Sequence, residues 1–368
     1  MKKLFPFLLA ALFLTGCKST QLGETRNLQV RLLDDYTIPE DLVIDNTKVG
    51  GLSGIEHVNG SYVLVCDHPS DPRFYKAGIL LSGESIDTVI ISEVVRLDLP
   101  QTDGKQNFDL ESIVFDSNSN QYYISSEGGI SDGIDPAVLK VSPEGKVQEF
   151  LSLPENLLAK SDKEPRNNGS LEGLAESFDK KGIWAAMELP LKSDGPKPKL
   201  IRTKSPVRIT YFDKATGEAT RQFPYLLEPI AKIPWLYFAV NGVTDLLEYA
   251  PDKFLILERG FAAGHGQNGN TVRIYDVDAS LGTNTLDRNN LKVSFYNPAK
   301  KTLLYDFKWA KKYLSEGFID NIEGITLGPD LPNGNKSLIL ISDNNFNSMG
   351  PQANQVILME LKMKNQNL

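Results

Sequence analysis

Cysteine and histidine are nearly absent from this chain, with two cysteines and three histidines in 368 residues. Cys17 lies in an N-terminal segment outside the expected fold, so Cys66 has no partner for an intrachain disulfide. In "SYVLVCDH" Cys66 occupies an apolar strand pattern, where a thiol serves as a small buried side chain. The scarcity of both residue types argues against zinc, whose sites are built from them. Basic residues are the minority charge: 39 against 47 acidic ones leave a formal net charge of −8. Such a chain has no broad electrostatic attraction to nucleic acid. After the first seventeen residues no apolar run is long enough to span a bilayer as a helix. Low-complexity linkers are missing, and helical patterns are scarce. The clearest, "DFKWAKKYLSEG" at 306–317, is expected to be a helix in a surface insertion.

The opening "MKKLFPFLLAALFLTGC" has a basic start, a short apolar run and a small-residue end, the pattern of a secretory signal. Leu14-Thr15-Gly16-Cys17 fits a bacterial lipobox, with cleavage before Cys17 and lipid on its sulfur. The expected organisation is a signal peptide over 1–16, a lipidated Cys17 and tether over 17–28, and one domain over 29–368. Lys18, in place of aspartate, points to the outer membrane of a bacterial envelope. The expected state is a monomer that meets the membrane through its lipid anchor only.

What the chain has in abundance is a repeat. Five segments align: "GLSGIEHVNGSYVLVCDH" from Gly51, "FDLESIVFDSNSNQYYISSEGG" from Phe108, "GSLEGLAESFDKKGIWAAMEL" from Gly169, "GVTDLLEYAPDKFLILERG" from Gly242 and "DNIEGITLGPDLPNGNKSLILISDNN" from Asp320. Each is a short apolar strand with one polar residue inside it, a turn rich in Asn, Asp, Gly or Lys, and a second strand of branched and aromatic residues. The spacing of roughly 60 to 80 residues leaves room for two more strands per repeat, such as "VRITYFD" and "TVRIYDVD". The fold class expected is all-β: a β-propeller of four-stranded antiparallel blades around a central channel, five in number. A sixth, degenerate blade at 190–240 or 259–320 stays open, as does a β-sandwich or solenoid. The ring is expected to close by pairing "LQVRLLDDY" with "QVILMELKM".

The polar residues inside the first strands are Ser53, Glu111, Glu172, Thr244 and Glu323, and the second strands end on Asp67, Glu127, Glu188, Glu258 and Asp343. In a propeller the innermost strands line the channel, so these acids would crowd around one axis. Crowded carboxylates cannot all stay ionised without compensation. A hard divalent cation with many oxygen ligands, such as Ca2+, relieves them. The expected metal ligands are Glu111, Glu127, Glu172, Glu188, Glu323 and Asp343. The competing reading is that the acids accept backbone hydrogen bonds and stitch neighbouring blades together.

"GLSGIEH", "SLEGLAES…WAAMELPL", "GVTDLLEY…FLILERGF" and "NIEGITLGPDL…LILISDNNF" together resemble the phytase-like domain of the "esterase-like activity of phytase" family. The resemblance runs from about Gly51 to the end. It implies an exported hydrolase in which calcium ions bind phosphate oxygens and lower the pKa of a bound water. Glu172 and Glu188 would then belong to the catalytic set. Arg259, then Arg73, and last Lys76 would hold further phosphate oxygens. The expected substrate is a small phosphoester. The alternatives are hydrolysis of another ester or lactone with one metal, and a non-catalytic binding or scaffold propeller.

Other signals are set aside. "DSNSNQYYISSE" has EF-hand-like oxygen spacing, but Gln121 stands where the loop needs glycine, and strands flank it. The nucleophile elbow Gly-x-Ser-x-Gly is missing, and a Ser53–His57 pair is disfavoured because Ser53 occupies a channel-lining position. His265 sits in a glycine-rich loop. "PWLYFAV" at 234–240 reads as a lid, a sugar-stacking patch or packing against the blades.

Overall fold

The computed structural model describes residues 22–100, 108–159, 164–348 and 350–364. The expected signal segment and Cys17 lie outside these residues. Five antiparallel sheets form five blades, and no α-helix occurs among the described residues. Blade 1 comprises Leu52–Val58, Ser61–Cys66, Arg73–Ser82 and Ser85–Arg96, from inside outwards. Blade 2 comprises Leu110–Asp116, Gln121–Ser126, Ala137–Val141 and Val147–Phe150. Blade 3 comprises Leu171–Glu176, Gly182–Met187, Pro206–Asp213 and Ala219–Leu226. Blade 4 comprises Ala239–Ala250, Lys253–Ala262, Asn270–Asp278 and Lys300–Asp306.

Blade 5 is a composite. Asn321–Asp330, Lys336–Asp343 and Asn354–Met363 come from the C-terminal part, and the fourth strand is Leu28–Ile38. It pairs from Leu28 opposite Met363 to Ile38 opposite Asn354, which closes the ring as the sequence suggests. Leu22–Glu24, in the stretch expected to be tether, adds a short strand outside it. All five blades and the closing pairing are made by described residues between 22 and 364. No sixth blade forms among the described residues: 190–240 and 259–320 hold strands of blades 3 and 4 and the loops between them.

The hairpins follow local chemistry. Asn59 and Gly60 both take positive φ (51° and 86°) between Val58 and Ser61, the two-residue turn that matches strand twist. "DSNSNQYYISSE" is likewise a hairpin, with Asn120 at φ 54° before Gln121. The apolar faces pack blade against blade. Trp184 of blade 3 meets Phe254 of blade 4 edge-on, with ring centroids 5.3 Å apart. Near the axis the inner strands approach so closely that side chains are excluded. A Cβ on Gly173 would lie 2.6 Å from the Asp245 Cα, and one on Gly54 would lie 2.8 Å from the Glu111 carbonyl oxygen.

The helix expected at 306–317 is instead two 3-10 turns, Phe307–Trp309 and Lys311–Tyr313. Successive i to i+3 bonds (Ala310 N to Phe307 O, Tyr313 N to Ala310 O) keep Phe307, Ala310 and Leu314 on the core side. The apolar spacing was real, but it serves a tighter turn that joins blade 4 to blade 5.

Candidate functional site: an acidic channel mouth

One device recurs in all five blades. The inner hairpin starts with a paired couple, and then its register skips a residue on the innermost strand. The couples are Gly51 with Asp67, Asp109 with Glu127, Ser170 with Glu188, Gly242 with Arg259, and Asn321 with Asp343. The irregularity that follows takes in Ser53, Glu111, Glu172, Thr244 and Glu323. A bulge re-aims the side chain it carries, and here it does so at equivalent positions of each blade. The mouth therefore has two tiers: Asp67, Glu127, Glu188, Arg259 and Asp343 above, and Ser53, Glu111, Glu172, Thr244 and Glu323 below.

This register changes the reading of the fourth repeat. Its mouth residue is Arg259, and Glu258 sits one place earlier, facing the other side of the sheet. Glu258 is fully buried and accepts hydrogen bonds from Tyr225 Oη (2.7 Å), Lys301 Nζ (2.6 Å), Asn241 Nδ2 (2.8 Å) and the Glu228 amide. Truncating it removes the closer of the two carboxylates that hold Lys301 and leaves Tyr225 Oη and Asn241 Nδ2 without this buried acceptor. Glu258→Ala is expected to cost about 3 kcal/mol of stability, measured by denaturant unfolding, which marks it as architecture.

The tiers converge electrostatically. Carboxylate oxygens of Asp109, Glu111 and Glu127 lie within 4.8 Å of one another, and so do those of Glu127, Glu172 and Glu188. Burial, then the neighbouring charges, lifts the carboxyls of Glu111 and Glu172 well above their usual range. Burial pushes Glu127 up to about 8, with Glu188 the next cause. Glu188 and Glu323 are raised by burial to about 7, held down in part by the Arg259 charge. Asp343 is driven well above the ordinary value by burial, then by Asp67 and Glu323. Asp67 and Asp109 rise to about 6, again mainly through burial.

Arg259 answers this charge. Its Nη2 donates to Glu323 Oε1 at 2.7 Å, and Asn321 Nδ2 donates to the same oxygen at 2.8 Å. Burial works against its charged form, but Glu323, Glu188 and Glu172 outweigh that and raise its pKa. Its buried Nε has no hydrogen-bond partner, and neither does Ser53 Oγ on the lower tier. Arg73 is placed differently. It is buried beside the mouth, with Nε on Tyr75 Oη (2.8 Å), Nη1 on Asp71 (carbonyl 2.8 Å, carboxylate 3.0 Å), and Phe346 against its guanidinium. Lys76 is tied to Glu93 on the blade surface. The remaining expected residues, Glu111, Glu127, Glu172, Glu188, Glu323 and Asp343, are all brought to the mouth.

Two acids escaped the sequence reading. Asp109 joins the mouth, and its place two residues before Glu111 on an extended strand was the available signal. Asp245 lies beneath the lower tier. Its Oδ1 accepts from Ser112 Oγ on blade 2 (3.2 Å) and its Oδ2 from the Ile325 amide on blade 5 (2.9 Å). Blades 2 and 4 are not neighbours, so this carboxyl crosses the channel and floors the site. Burial raises its pKa well above the usual range. Ser53 and His57 are four residues apart on one strand, roughly 13 Å, and His57 packs on Tyr62.

No curated protein matches the chain. Among solved structures, the major allergen Mala s 1 of Malassezia sympodialis is 13% identical, with 95% of each chain covered and a TM-score of 0.39. A GH43 β-1,3-galactosidase is 10% identical over 88% of this chain and 94% of its own, with a TM-score of 0.46. The GH32 β-fructofuranosidase of Bombyx mori is 9% identical over 86% and 62%, with a TM-score of 0.44. A family model described as phytase-like, esterase-like activity of phytase, matches residues 47–346, and the chain belongs to that family.

Proposed function

We propose that the channel mouth is the active site of a Ca2+-dependent phosphoester hydrolase. The observation that carries this reading is the convergence of Glu127, Glu172 and Glu188 within 4.8 Å, beside the guanidinium of Arg259. The donor set fits the ion: it is all oxygen and all carboxylate. Asp109, Glu111 and Glu127 form a second set of the same chemistry, sharing one residue with the first. Bound calcium would supply Lewis-acid polarisation of a phosphoryl oxygen and a more acidic water.

The protein's own groups do the rest. The carboxyls shed protons as they take up a cation, since only the ionised form ligates well. Glu127 and Glu188, raised to about 8 and about 7, are poised to exchange protons near neutral pH. Arg259 presents a fixed positive charge, and its unpartnered Nε is a donor ready for an anionic oxygen. Asp245, held by Ser112 and the Ile325 amide, lies beneath the lower tier and adds a further carboxyl to the channel.

The test uses the chain from residue 18 onwards, calcium titration by calorimetry, and a phosphomonoester assay on the same samples. The expected result is calcium binding with turnover that a chelator removes and calcium restores. Hydrolysis of carboxylic esters or lactones alone would move the substrate class. A protein that binds no divalent ion would leave the acids as stitching between blades and overturn the proposal.

A further inference from the structure

The mouth face carries a second feature. Two segments rise there, 188–205 directly after Glu188 and 230–238 directly before the innermost strand of blade 4. The Ile230 amide bonds to the Lys199 carbonyl at 2.9 Å, which ties them together. Loop 230–238 is anchored in turn on 263–265, through Trp235 N to Ala263 O, Ala263 N to Phe238 O, and the His265 ring to Ile233 O. The loop is thus built, not frayed, yet Ile233, Trp235, Leu236, Tyr237 and Phe238 are all more than half exposed. Tyr237 holds φ at 58° with its ring wholly in solvent, so no packing within the chain offsets that strain.

The first segment reads "KPKLIRTK" over 197–204, and every one of its charged residues and both of its aliphatics is exposed. No acid occurs between Asp194 and Asp213, nor between Glu228 and Asp245, in a chain that has more acids than bases. Arg202 is paired with Glu228 and Lys232 is held by backbone carbonyls, while Lys197, Lys199 and Lys204 enter no salt bridge among the described residues, though Lys204 lies 4.3 Å from the Tyr296 ring centroid and the Lys197 charge reaches Glu188. From this juxtaposition we infer that the mouth face docks on an anionic lipid bilayer, with Trp235, Tyr237 and their neighbours in the interface and Lys197, Lys199 and Lys204 over the headgroups.

The chemistry favours lipid over a protein partner. Trp and Tyr beside aliphatics, flanked by lysines, suit the boundary between headgroup and acyl chain. Each basic residue near an anionic surface adds to the attraction. Protein interfaces, by contrast, are depleted in lysine. Docking in this orientation turns the acidic mouth towards the membrane. The inference does not depend on the lipid expected at Cys17, and it stands whether or not the mouth is catalytic.

The test is co-sedimentation of the chain from residue 18 onwards with phosphatidylcholine vesicles, with and without phosphatidylglycerol. Binding is expected to be about tenfold or more tighter with phosphatidylglycerol and to weaken with salt. Trp235→Ser with Tyr237→Ser should lower binding to both by about tenfold, and Lys197→Glu with Lys199→Glu and Lys204→Glu should erase the anionic preference. These positions are on the surface, and unchanged melting curves will show that the variants fold. Absence of vesicle binding, or binding that both variants keep, overturns the inference. Self-association abolished by the Trp235/Tyr237 pair, without vesicle binding, overturns it too and assigns the face to a second copy.

Discussion

Glu172→Gln is expected to lower phosphomonoester turnover by about a hundredfold or more while leaving the protein folded. Glu172 lies on the lower tier, beneath Glu127 and Glu188 of the upper one, and it also feels Glu323 and Arg259. The amide keeps the shape but cannot become a carboxylate, so the site loses an anionic oxygen at its centre. Stability should hold, because burial already favours the neutral form of this group. The same substitution at Glu258, on the other face of the sheet, should leave the chemistry alone and weaken the fold. Calorimetry on Glu172→Gln should show weakened calcium uptake in step with lost turnover. Full activity in both Glu172→Gln and Glu323→Gln would end the channel mechanism.

Without calcium, stability should fall as pH rises from about 5 to about 8. In the unfolded chain the glutamates lose their protons near 4.5, whereas in the folded one Glu188 and Glu323 keep theirs to about 7 and Glu127 to about 8. Between those limits the folded state binds more protons, so raising pH favours unfolding. Asp67 and Asp109 add the same sign over a lower window, from 3.8 to about 6. The melting temperature should be lower by about 5 °C or more at pH 8 than at pH 5. Calcium, which takes the place of the protons, should remove most of that loss. A melting temperature that rises or stays level over this range, measured by calorimetry in chelator, would mean that the mouth carboxyls are not held neutral by burial.

The blades were legible because each inner hairpin repeats the same alternation and turn chemistry, from "GLSGIEHVNGSYVLVCDH" to "NIEGITLGPDLPNGNKSLILIS". Closure by "LQVRLLDDY" was legible because a composite last blade solves the problem of an open edge. What could not be read was register at single-residue precision. Glu258 and Arg259 are adjacent, and a slip of one residue moves a side chain to the opposite face. The bulge that sets the slip is marked by a following glycine in three blades, Gly54, Gly173 and Gly324, but not in the fourth, where Asp245 stands. Asp245 was hidden for a related reason. The other blades carry Gly54, Ser112, Gly173 or Gly324 at its position, so nothing in the repeat announced a carboxyl that reaches across the axis. The 306–317 turn shows the limit of periodicity, since i and i+3 spacing belongs to both helix types.

The pairing of Leu28–Ile38 with Asn354–Met363 also imposes an order of events on the molecule's assembly. A strand that emerges early from synthesis must wait for nearly the last described one before its inner edge is satisfied. Until then blade 5 is incomplete at one end of the chain and absent at the other. Four blades' worth of intervening sequence can form locally through its own hairpins, but the circle cannot lock. Contacts of such sequence separation form slowly, and an unmated edge is open to pairing with another chain. Shortening the C-terminus past Met363 would therefore do more than trim an end. It would leave the founding strand without its mate, and the whole population exposed to intermolecular exchange.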